Sequence, residues 1–338
     1  HKLVKNNSMK IAFFSSKPYD KTFFEAENKN YGFELNFYET HLGPHIVNAI
    51  EDEHAVCVFV NDKVNRQVIE VLAKKGVKII ALRCAGFNNV DLEAAKEFGI
   101  KICRVPAYSP EAVAEHTMAM LLTLNRKTHK AYNRVREQNF ALNGLLGFNL
   151  FQKTIGIVGT GKIGKAFINI AKGFGCKIIA YDLYPDQELM NNGVEYVELD
   201  KLFKTSDIIS LHCPLTPENH YMINQETIAM MKDGVTIINT SRGGLINTHE
   251  AIEALKNHKI GYLGIDVYEQ EEKLFFKDLS AEIIQDDMIQ RLMSFPNVLV
   301  TAHQAFFTQE ALEQISEITM RSILEILEKG STDEVVML

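Results

Sequence analysis

The segment TIGIVGTGKIG, at residues 154–164, constrains the fold of this chain more than any other. Residues 155–158 have the apolar, β-branched composition of a buried strand, and they lead directly into Gly159, Gly161 and Gly164, spaced G-x-G-x-x-G ahead of a helical pattern. In such a unit the first glycine permits a tight turn, the second lets the backbone approach a pyrophosphate, and the third lets the helix pack on the strand. The segment therefore predicts a dinucleotide-binding βαβ unit.

An acidic residue at the end of the next predicted strand indicates which dinucleotide is bound. Asp182 follows the run KIIAY, 18 residues after Gly164, where a carboxylate can accept hydrogen bonds from both ribose hydroxyls. Leu183 and Tyr184 come next, and no arginine lies nearby to accept a 2′-phosphate. The sequence therefore predicts NAD rather than NADP.

Strand and helix patterns alternate through most of the chain, and most of the predicted strands are apolar on both faces. This is typical of parallel sheets covered by helices and predicts a doubly wound α/β protein. One segment interrupts the alternation. Ser109-Pro110-Glu111 is a helix start signal, and the absence of turn signals before about residue 140 predicts a helix of about thirty residues that links one α/β unit to the next. A C-terminal helix is predicted at about 308–329 and could return to the first unit.

Composition excludes several classes of protein. With 338 residues the chain is long enough for two domains, and its net charge of −7 argues against a nucleic-acid-binding protein. No apolar run approaches the ~20 residues of a membrane span. The five cysteines show no metal-ligand spacing, so we expect no metal site and reduced thiols in a cytoplasmic protein. Residues 1–8 lack a signal-peptide core, and we interpret them as a cloning remnant outside the fold.

Three polar side chains downstream supply what the reduction of a 2-keto acid requires. Arg242, in INTSRGG, offers a planar fork that matches a carboxylate, and His303, after NVLVTA, can carry a proton near neutral pH. A lone arginine or histidine is usually structural, but both follow predicted strands, where open α/β sheets bind ligands. A carboxylate in DVYEQE could orient and charge the histidine. The residue pattern leaves three candidates for it: Glu269, Glu271 and Glu272.

The motifs GTGKIG, NTSRGG, GIDVYEQE and TAHQAFF occur here in an order and spacing that resemble the D-isomer-specific 2-hydroxyacid dehydrogenases. The resemblance extends over essentially the whole chain from Met9. It implies that Arg242 is the catalytic arginine, that Glu271 is the catalytic glutamate and that His303 is the acid/base histidine.

The resemblance also implies a domain organisation with two doubly wound parallel-sheet domains, Rossmann-like and flavodoxin-like, and a substrate cleft between them. The NAD-binding domain is expected at residues 108–306. The substrate domain is expected to be discontinuous, with residues 9–107 and 307–338. A homodimer formed through the NAD-binding domain, with the long predicted helix contributing, is the implied assembly.

Further site residues follow from the resemblance. For NAD they are Gly159, Gly161, Lys162, Ile163, Gly164, Asp182, Cys213, Pro214, Asn219, Thr240, Ser241, Arg242 and Asp266. For the substrate they are Phe59, Ala85, Gly86, Tyr108, Arg242, His303 and Phe306, with backbone amides near Ala85 and Gly86 expected to bind the substrate carboxylate.

Within the family, the chain most resembles the D-lactate dehydrogenase branch. The acidic and aromatic stretch between Glu271 and His303, the AFFT that follows the histidine, and the segment VPAYSPEAVAEH all point to it. The implied reaction is the reversible reduction of pyruvate to D-lactate with NADH, in which His303 donates the proton. One alternative is a D-2-hydroxyisocaproate-type dehydrogenase with a larger pocket. Another is a non-catalytic NAD-sensing protein like the C-terminal-binding corepressors, which share this fold and keep the three catalytic residues.

Overall fold

The computed structural model describes residues 9–336, so the segment interpreted as a cloning remnant lies outside the described residues. The chain divides into two compact units. Unit 1 runs to Ser109 and resumes at Thr308, and unit 2 is Pro110–Phe307. The chain passes from unit 1 to unit 2 two residues after the expected boundary at 107/108. It returns to unit 1 one residue after the expected boundary at 306/307.

Unit 1 is a parallel sheet with helices packed on it. Its strands are β1 (Lys10–Phe13), β2 (Glu34–Phe37), β3 (Ala55–Val58), β4 (Ile79–Leu82) and β5 (Lys101–Arg104). Its helices are α1 (Pro18–Asn28), α2 (Arg66–Lys74), α3 (Leu92–Glu97) and, from the end of the chain, α12 (Gln309–Lys329). The strand order is β2-β1-β3-β4-β5, the flavodoxin-like order.

Burial explains why the strands of unit 1 read as continuous apolar runs. Every residue of β3 and β4 is buried, since helices cover both faces of a doubly wound sheet. Helix α12 packs against α1, β4 and β5, so the C-terminal helix returns to the first unit, as the sequence suggested it could.

Unit 2 is a larger parallel sheet. Its strands are β6 (Thr154–Val158), β7 (Lys177–Tyr181), β8 (Glu195–Tyr196), β9 (Ile208–Leu211), β10 (Val235–Asn239), β11 (Ile260–Ile265) and β12 (Val298–Val300). Its helices are α4 (Pro110–Arg126), α5 (Thr128–Arg136), α6 (Lys162–Gly173), α7 (Gln187–Asn191), α8 (Leu199–Thr205), α9 (Gln225–Met230), α10 (Thr248–Lys256) and α11 (Asp287–Ser294).

The strand order β12-β11-β10-β9-β6-β7-β8 is that of the dinucleotide-binding fold with one further strand. The direction of winding reverses between β6 and β9, and ligands bind outside the carboxyl ends of strands at such a reversal. The two parallel sheets confirm the predicted fold class.

The single long helix predicted from Ser109 is wrong. Helix α4 ends at Arg126, Lys127 has a left-handed backbone with φ of 52°, and α5 follows as a separate helix to Arg136. Tertiary contacts hold Lys127 in place: its Nζ donates to the Leu146 carbonyl at 2.7 Å and lies 3.1 Å from the Tyr262 hydroxyl. Local helical propensity cannot report contacts of this kind, so the sequence shows no break here.

The three glycines of the β6–α6 turn serve two different purposes. Gly159 has φ of 95°, and a Cβ there would lie 2.7 Å from the backbone nitrogen of Cys213. A Cβ on Gly164 would collide with the Gly159 carbonyl oxygen, whereas a Cβ on Gly161 would have no heavy atom within 4 Å. Protein packing therefore requires the first and third glycines, whereas the backbone at Gly161 is open, as the predicted approach of a pyrophosphate requires.

This difference predicts different outcomes for two matched substitutions. Gly164→Ala should lower the free energy of unfolding by about 1–3 kcal/mol, because the new methyl group overpacks the turn. Gly161→Ala should lower it by less than about 1 kcal/mol, the cost of a poorer helix N-cap, while weakening NADH binding. Urea unfolding and NADH fluorescence titration of both variants measure the two effects. An equal loss of unfolding free energy in the two variants would show that packing also requires Gly161. Unchanged NADH affinity in Gly161→Ala would exclude Gly161 from the cofactor site.

Candidate active site

The carboxyl ends of the parallel strands of unit 2 meet at one edge of the sheet, and many of the residues predicted for the site follow those ends. They are Gly159 after β6, Asp182 after β7, Cys213 after β9, Thr240, Ser241 and Arg242 after β10, Asp266 after β11, and His303 after β12. The parallel topology thus brings together residues that are far apart in the chain.

The glycine turn and Asp182 form one hydrogen-bonded unit. The Asp182 Oδ2 atom accepts from the Thr160 backbone nitrogen at 2.7 Å and from its hydroxyl at 3.1 Å, and Oδ1 accepts from the Tyr184 nitrogen at 2.9 Å. Helix α6 begins after Gly161 without a side-chain cap, and Lys162 is exposed beside it. The first amides of the helix and its positive dipole end are therefore available to an anion such as a pyrophosphate.

The loop after β9 holds the residues expected near the adenosine half of the cofactor. The Asn219 side chain donates to the Pro214 carbonyl at 2.7 Å and accepts from the Thr216 nitrogen at 2.8 Å. The Ser241 hydroxyl donates to the Cys213 carbonyl at 2.5 Å, which ties this loop to the one after β10. Burial raises the pKa of the Cys213 thiol to about 11, so it is neutral at physiological pH.

Arg242 lies in a sharply constrained turn. The Asn239 side chain accepts from the Ser241 nitrogen at 3.0 Å and donates to the Arg242 carbonyl at 2.9 Å. A Cβ on Gly243 would collide with the backbone of Tyr268, so the turn lies directly against the loop after β11. The guanidinium itself is exposed and donates to the Ser241 carbonyl at 2.7 Å. An exposed planar guanidinium on a fixed backbone can bind a carboxylate in a defined orientation.

The partner of His303 is Glu271. The His303 Nδ1 atom lies 2.7 Å from Glu271 Oε1, and Glu271 Oε2 accepts from the Tyr268 nitrogen at 2.9 Å. Because a carboxylate only accepts, Nδ1 carries the hydrogen, which leaves Nε2 to exchange a proton with a ligand. Glu269 is occupied elsewhere, accepting from the Tyr221 hydroxyl at 2.5 Å. The structure thus pairs the histidine with one of the three glutamates that the residue pattern left open.

Asp266 builds the turn that presents His303. His303 has a left-handed backbone, with φ of 51°, and its nitrogen donates to the Asp266 carbonyl at 2.7 Å. The buried Asp266 carboxylate accepts from the Thr301 hydroxyl at 2.6 Å and from the nitrogens of Gln304 and Ala305 at 2.8 and 3.0 Å. Burial by itself would raise the pKa of Asp266, but the nearby His116 imidazole and these hydrogen bonds outweigh it and lower the pKa. The carboxylate is therefore charged at neutral pH.

Sequence reasoning missed two residues of α4 that reach this edge. The His116 Nε2 atom lies 3.1 Å from the Thr301 hydroxyl and 3.6 Å from Asp266 Oδ1. The hydroxyls of Thr117 and Thr240 are 2.8 Å apart, and both side chains are buried. His116 ends the segment VPAYSPEAVAEH, whose resemblance pointed only to Tyr108, and no local pattern marks Thr117.

His212 shows that a histidine at a strand end need not carry protons. It follows β9, its Nε2 lies 2.8 Å from the Ser210 hydroxyl, and its ring centroid is 5.2 Å from that of Phe167. Desolvation lowers the pKa of His212 to about 3, so it stays neutral. The carboxylate partner distinguishes His303 from this structural histidine.

Most of the residues expected to contact the substrate belong to unit 1. Phe59 follows β3, Ala85 and Gly86 follow β4, and Tyr108 follows β5, so all four come after carboxyl ends of the unit 1 sheet. Phe306 belongs to unit 2, where it is buried, with its ring edge-on to Phe307.

Comparison with known proteins identifies the family. The D-isomer specific 2-hydroxyacid dehydrogenase NAD binding domain matches residues 118–305. The chain belongs to this family, and unit 2 carries its NAD-binding domain. Over 324 residues, covering 96% of this chain and 98% of the relative, it is 56% identical to the D-lactate dehydrogenase of Escherichia coli.

Solved structures agree with the sequence comparison. The apo-structure of D-lactate dehydrogenase from Escherichia coli superposes with a TM-score of 0.90 at 52% identity, covering 97% of this chain and all of that one (100%). The structure of D-2-hydroxyisocaproate dehydrogenase superposes with a TM-score of 0.87 at 32% identity, covering 97% of this chain and 99% of that one.

The residues present fit NAD. The open space at Gly161, the start of α6 without a side-chain cap and the Asp182 carboxylate at the end of β7 are the features that a dinucleotide requires. Among residues 9–336, no group of three or more His, Cys, Asp or Glu side chains is arranged to hold a metal ion.

The His303–Glu271 pair predicts a loss of activity when the carboxylate is removed. Glu271→Gln replaces the acceptor of the His303 Nδ1 hydrogen with an amide of similar shape, so kcat/KM for reduction should fall by at least about tenfold. Glu269→Gln, in the same loop, should leave kcat/KM close to the wild-type value, because Glu269 accepts from the Tyr221 hydroxyl and not from the imidazole. Wild-type kcat/KM in Glu271→Gln would remove Glu271 as the partner.

Asp182 predicts the preference for NADH over NADPH, because its carboxylate would repel a 2′-phosphate. Asp182→Ala should narrow the ratio of kcat/KM values for the two cofactors by relieving the repulsion and losing the ribose hydrogen bonds. Equal values for NADH and NADPH in the wild-type protein would contradict this role.

Proposed function

We propose that this chain is an NAD-dependent D-lactate dehydrogenase that reversibly reduces pyruvate to D-lactate. The observation that carries the proposal is the 2.7 Å contact between His303 and Glu271, on the same carboxyl edge of the NAD-binding sheet that carries Arg242. A proton donor, its carboxylate partner and a carboxylate-binding guanidinium are the groups that reduction of a 2-keto acid needs.

Each of the three residues has a separate role in the proposed reaction. NADH, when bound, supplies the hydride that goes to C2 of pyruvate. The Arg242 guanidinium binds the substrate carboxylate through its planar fork and so orients the carbonyl group. His303, protonated, donates its Nε2 proton to the carbonyl oxygen, and Glu271 stabilises the imidazolium before that transfer. In lactate oxidation the neutral imidazole accepts the hydroxyl proton.

Unit 1 contributes the rest of substrate recognition in this proposal. The backbone amides near Ala85 and Gly86 bind the carboxylate, and Tyr108 faces the substrate. The Phe59 ring offers apolar surface to the substrate's methyl group, which favours a short side chain. The Arg104 guanidinium supports the carboxylate-binding loop, since its Nη1 donates to the Ala85 carbonyl at 2.7 Å.

A D-2-hydroxyisocaproate-type dehydrogenase would use the same three catalytic groups with a roomier pocket, so substrate size separates the two candidates. A non-catalytic NAD-sensing protein would keep the same three residues, so measurable turnover of a 2-keto acid separates it from an enzyme. A steady-state comparison of pyruvate, 2-ketobutyrate, phenylpyruvate and 2-ketoisocaproate with NADH tests the proposal. The highest kcat/KM is expected for pyruvate. A higher value for 2-ketoisocaproate would identify the D-2-hydroxyisocaproate-type dehydrogenase instead.

Arg242→Lys tests how the carboxylate is bound. Lysine keeps the charge but cannot form the bidentate contact, so KM for pyruvate should rise and kcat should fall together, with kcat/KM reduced by at least about 100-fold. Circular dichroism should show an unchanged fold, since the guanidinium is exposed. Near wild-type kcat/KM would exclude Arg242 from the site.

The proposed assembly is a homodimer formed through unit 2. Large apolar side chains are exposed on α5 and the segment after it, including Tyr132, Phe140, Leu142, Leu146 and Phe151. Phe140, Leu142 and Leu146 are 73%, 80% and 88% exposed. A concentration of exposed apolar surface marks a protein interface, and in homo-oligomers the occupant is a second copy.

Light scattering at micromolar concentration should give twice the mass of one chain, and a Leu142→Asp/Leu146→Asp variant should shift the mass toward one chain. A wild-type monomer would overturn the dimer.

We propose a cytoplasmic location, supported by the five free cysteines. Within the described part of the chain, no helix has the length and apolar composition to cross a membrane.

A further inference from the structure

A buried arginine lies against the ring of Phe59. The Cζ atom of Arg83 is 5.1 Å from the centroid of that ring, and the arginine is only 3% exposed. Its Nε donates to Asp20 Oδ1 at 3.2 Å, and its Nη2 donates to the Ser15 carbonyl at 2.9 Å. Two hydrogen bonds therefore hold the guanidinium next to the phenylalanine ring.

The backbone of Phe59 is fastened separately. Its nitrogen donates to Asp62 Oδ2 at 2.6 Å, and the buried Asp62 carboxylate also accepts from the Ser15 hydroxyl at 2.7 Å. The Asn89 side chain donates to the carbonyls of Phe59 and Asp62, both at 2.9 Å. With the backbone held by Asp62 and Asn89, the conformation of the Phe59 ring depends on what packs on its faces.

Arg83 also joins two parts of the chain that the proposed function assigns to the substrate. It follows β4 and immediately precedes Cys84, Ala85 and Gly86, and its backbone nitrogen donates to the Val58 carbonyl at 3.1 Å. Arg83 thus begins the proposed carboxylate-binding loop and also supports the Phe59 ring.

Stability alone gives no reason for this arrangement. A charged pair in a protein core generally contributes little more than well-packed apolar side chains of the same volume would. A planar guanidinium, however, can stack on an aromatic face while its edge makes directed hydrogen bonds, which a lysine or an aliphatic residue cannot do.

We propose that Arg83 is a positioning residue that sets the size of 2-keto acid side chain the enzyme accepts, by holding the Phe59 ring in place. This inference rests on the proposed function, which puts Phe59 beside the substrate side chain. Arg83 contacts neither the substrate nor the cofactor in the proposal and acts only through Phe59.

Arg83→Lys tests the inference through a ratio of two substrates. Lysine keeps a cation near Asp20 but loses the flat surface against Phe59. The ratio of kcat/KM for phenylpyruvate to kcat/KM for pyruvate should rise by about threefold or more. This is smaller than the discrimination between substrates that a direct pocket contact supplies, because Arg83 acts only through Phe59. Partial unfolding lowers the active fraction for both substrates equally, so the ratio is insensitive to it.

Two further variants isolate the route through Phe59. Phe59→Ala should raise the ratio, and adding Arg83→Lys to it should cause no further rise, because residues that act through one another are not additive. Arg104→Lys is the matched control: Arg104 also stacks on an aromatic ring, Phe87, at 5.1 Å, but it is bonded to the carboxylate loop. It should change KM for both acids by the same factor and leave the ratio unchanged.

The outcomes separate the inference from the proposed function. If Phe59→Ala changes the ratio and Arg83→Lys does not, the inference fails and the proposed function stands. Additive effects, or an equal ratio change in Arg104→Lys, would also overturn it. An unchanged ratio in Phe59→Ala would remove Phe59 from the site and the inference with it. If Arg83→Lys does not fold, Asp20→Asn, which loosens the anchor while keeping the arginine, should change the ratio in the same direction, and an unchanged ratio there would overturn the inference.

Discussion

The arrangement of the active-site edge depends on one buried carboxylate. Asp266 is the first residue after β11, and its two carboxylate oxygens accept hydrogen bonds from the side chain of Thr301 and from the amides of Gln304 and Ala305. Its carbonyl accepts from the nitrogen of His303, whose backbone is left-handed. A buried charge is costly unless it is fully hydrogen-bonded, so this loop has little freedom to adopt another conformation. The position of the His303 imidazole follows from that constraint.

The same physical rule organises both units. Parallel strands covered on both faces leave only their ends free for polar side chains, and the carboxyl ends carry the loops that can vary. In unit 2 those loops hold the glycine turn, Arg242 and His303. In unit 1 they hold Phe59, with Arg83 and Asp20 buried as an ion pair close to it. Neighbouring carbonyl and carboxylate oxygens accept hydrogen bonds from the charged side chains at these edges. The buried polar groups therefore orient the side chains.

Environment assigns different chemistry to identical side chains. His212 and His303 both follow strands of the same sheet, yet desolvation keeps the first neutral, and the second has the Glu271 carboxylate 2.7 Å from its Nδ1 atom. Glu269 and Glu271 are two residues apart, and only Glu271 reaches the imidazole, because Glu269 accepts from the Tyr221 hydroxyl. The residue type at a strand end marks a candidate, and its hydrogen-bond partners decide its role.

The sequence by itself determined the fold class, the dinucleotide element and the strand-end positions of Arg242 and His303, because these depend on local patterns: runs of apolar residues, glycine spacing and the residue that follows a strand. From the residue pattern alone, the choice among three glutamates stayed open. The family resemblance implied Glu271, and in the structure a contact between residues 32 positions apart pairs Glu271 with His303. The break at Lys127 depends on Leu146 and Tyr262, and the roles of His116 and Arg83 depend on partners from other elements. Only the tertiary structure decides such features, because a side chain's hydrogen bonds and neighbours are set by packing between segments that the chain keeps far apart.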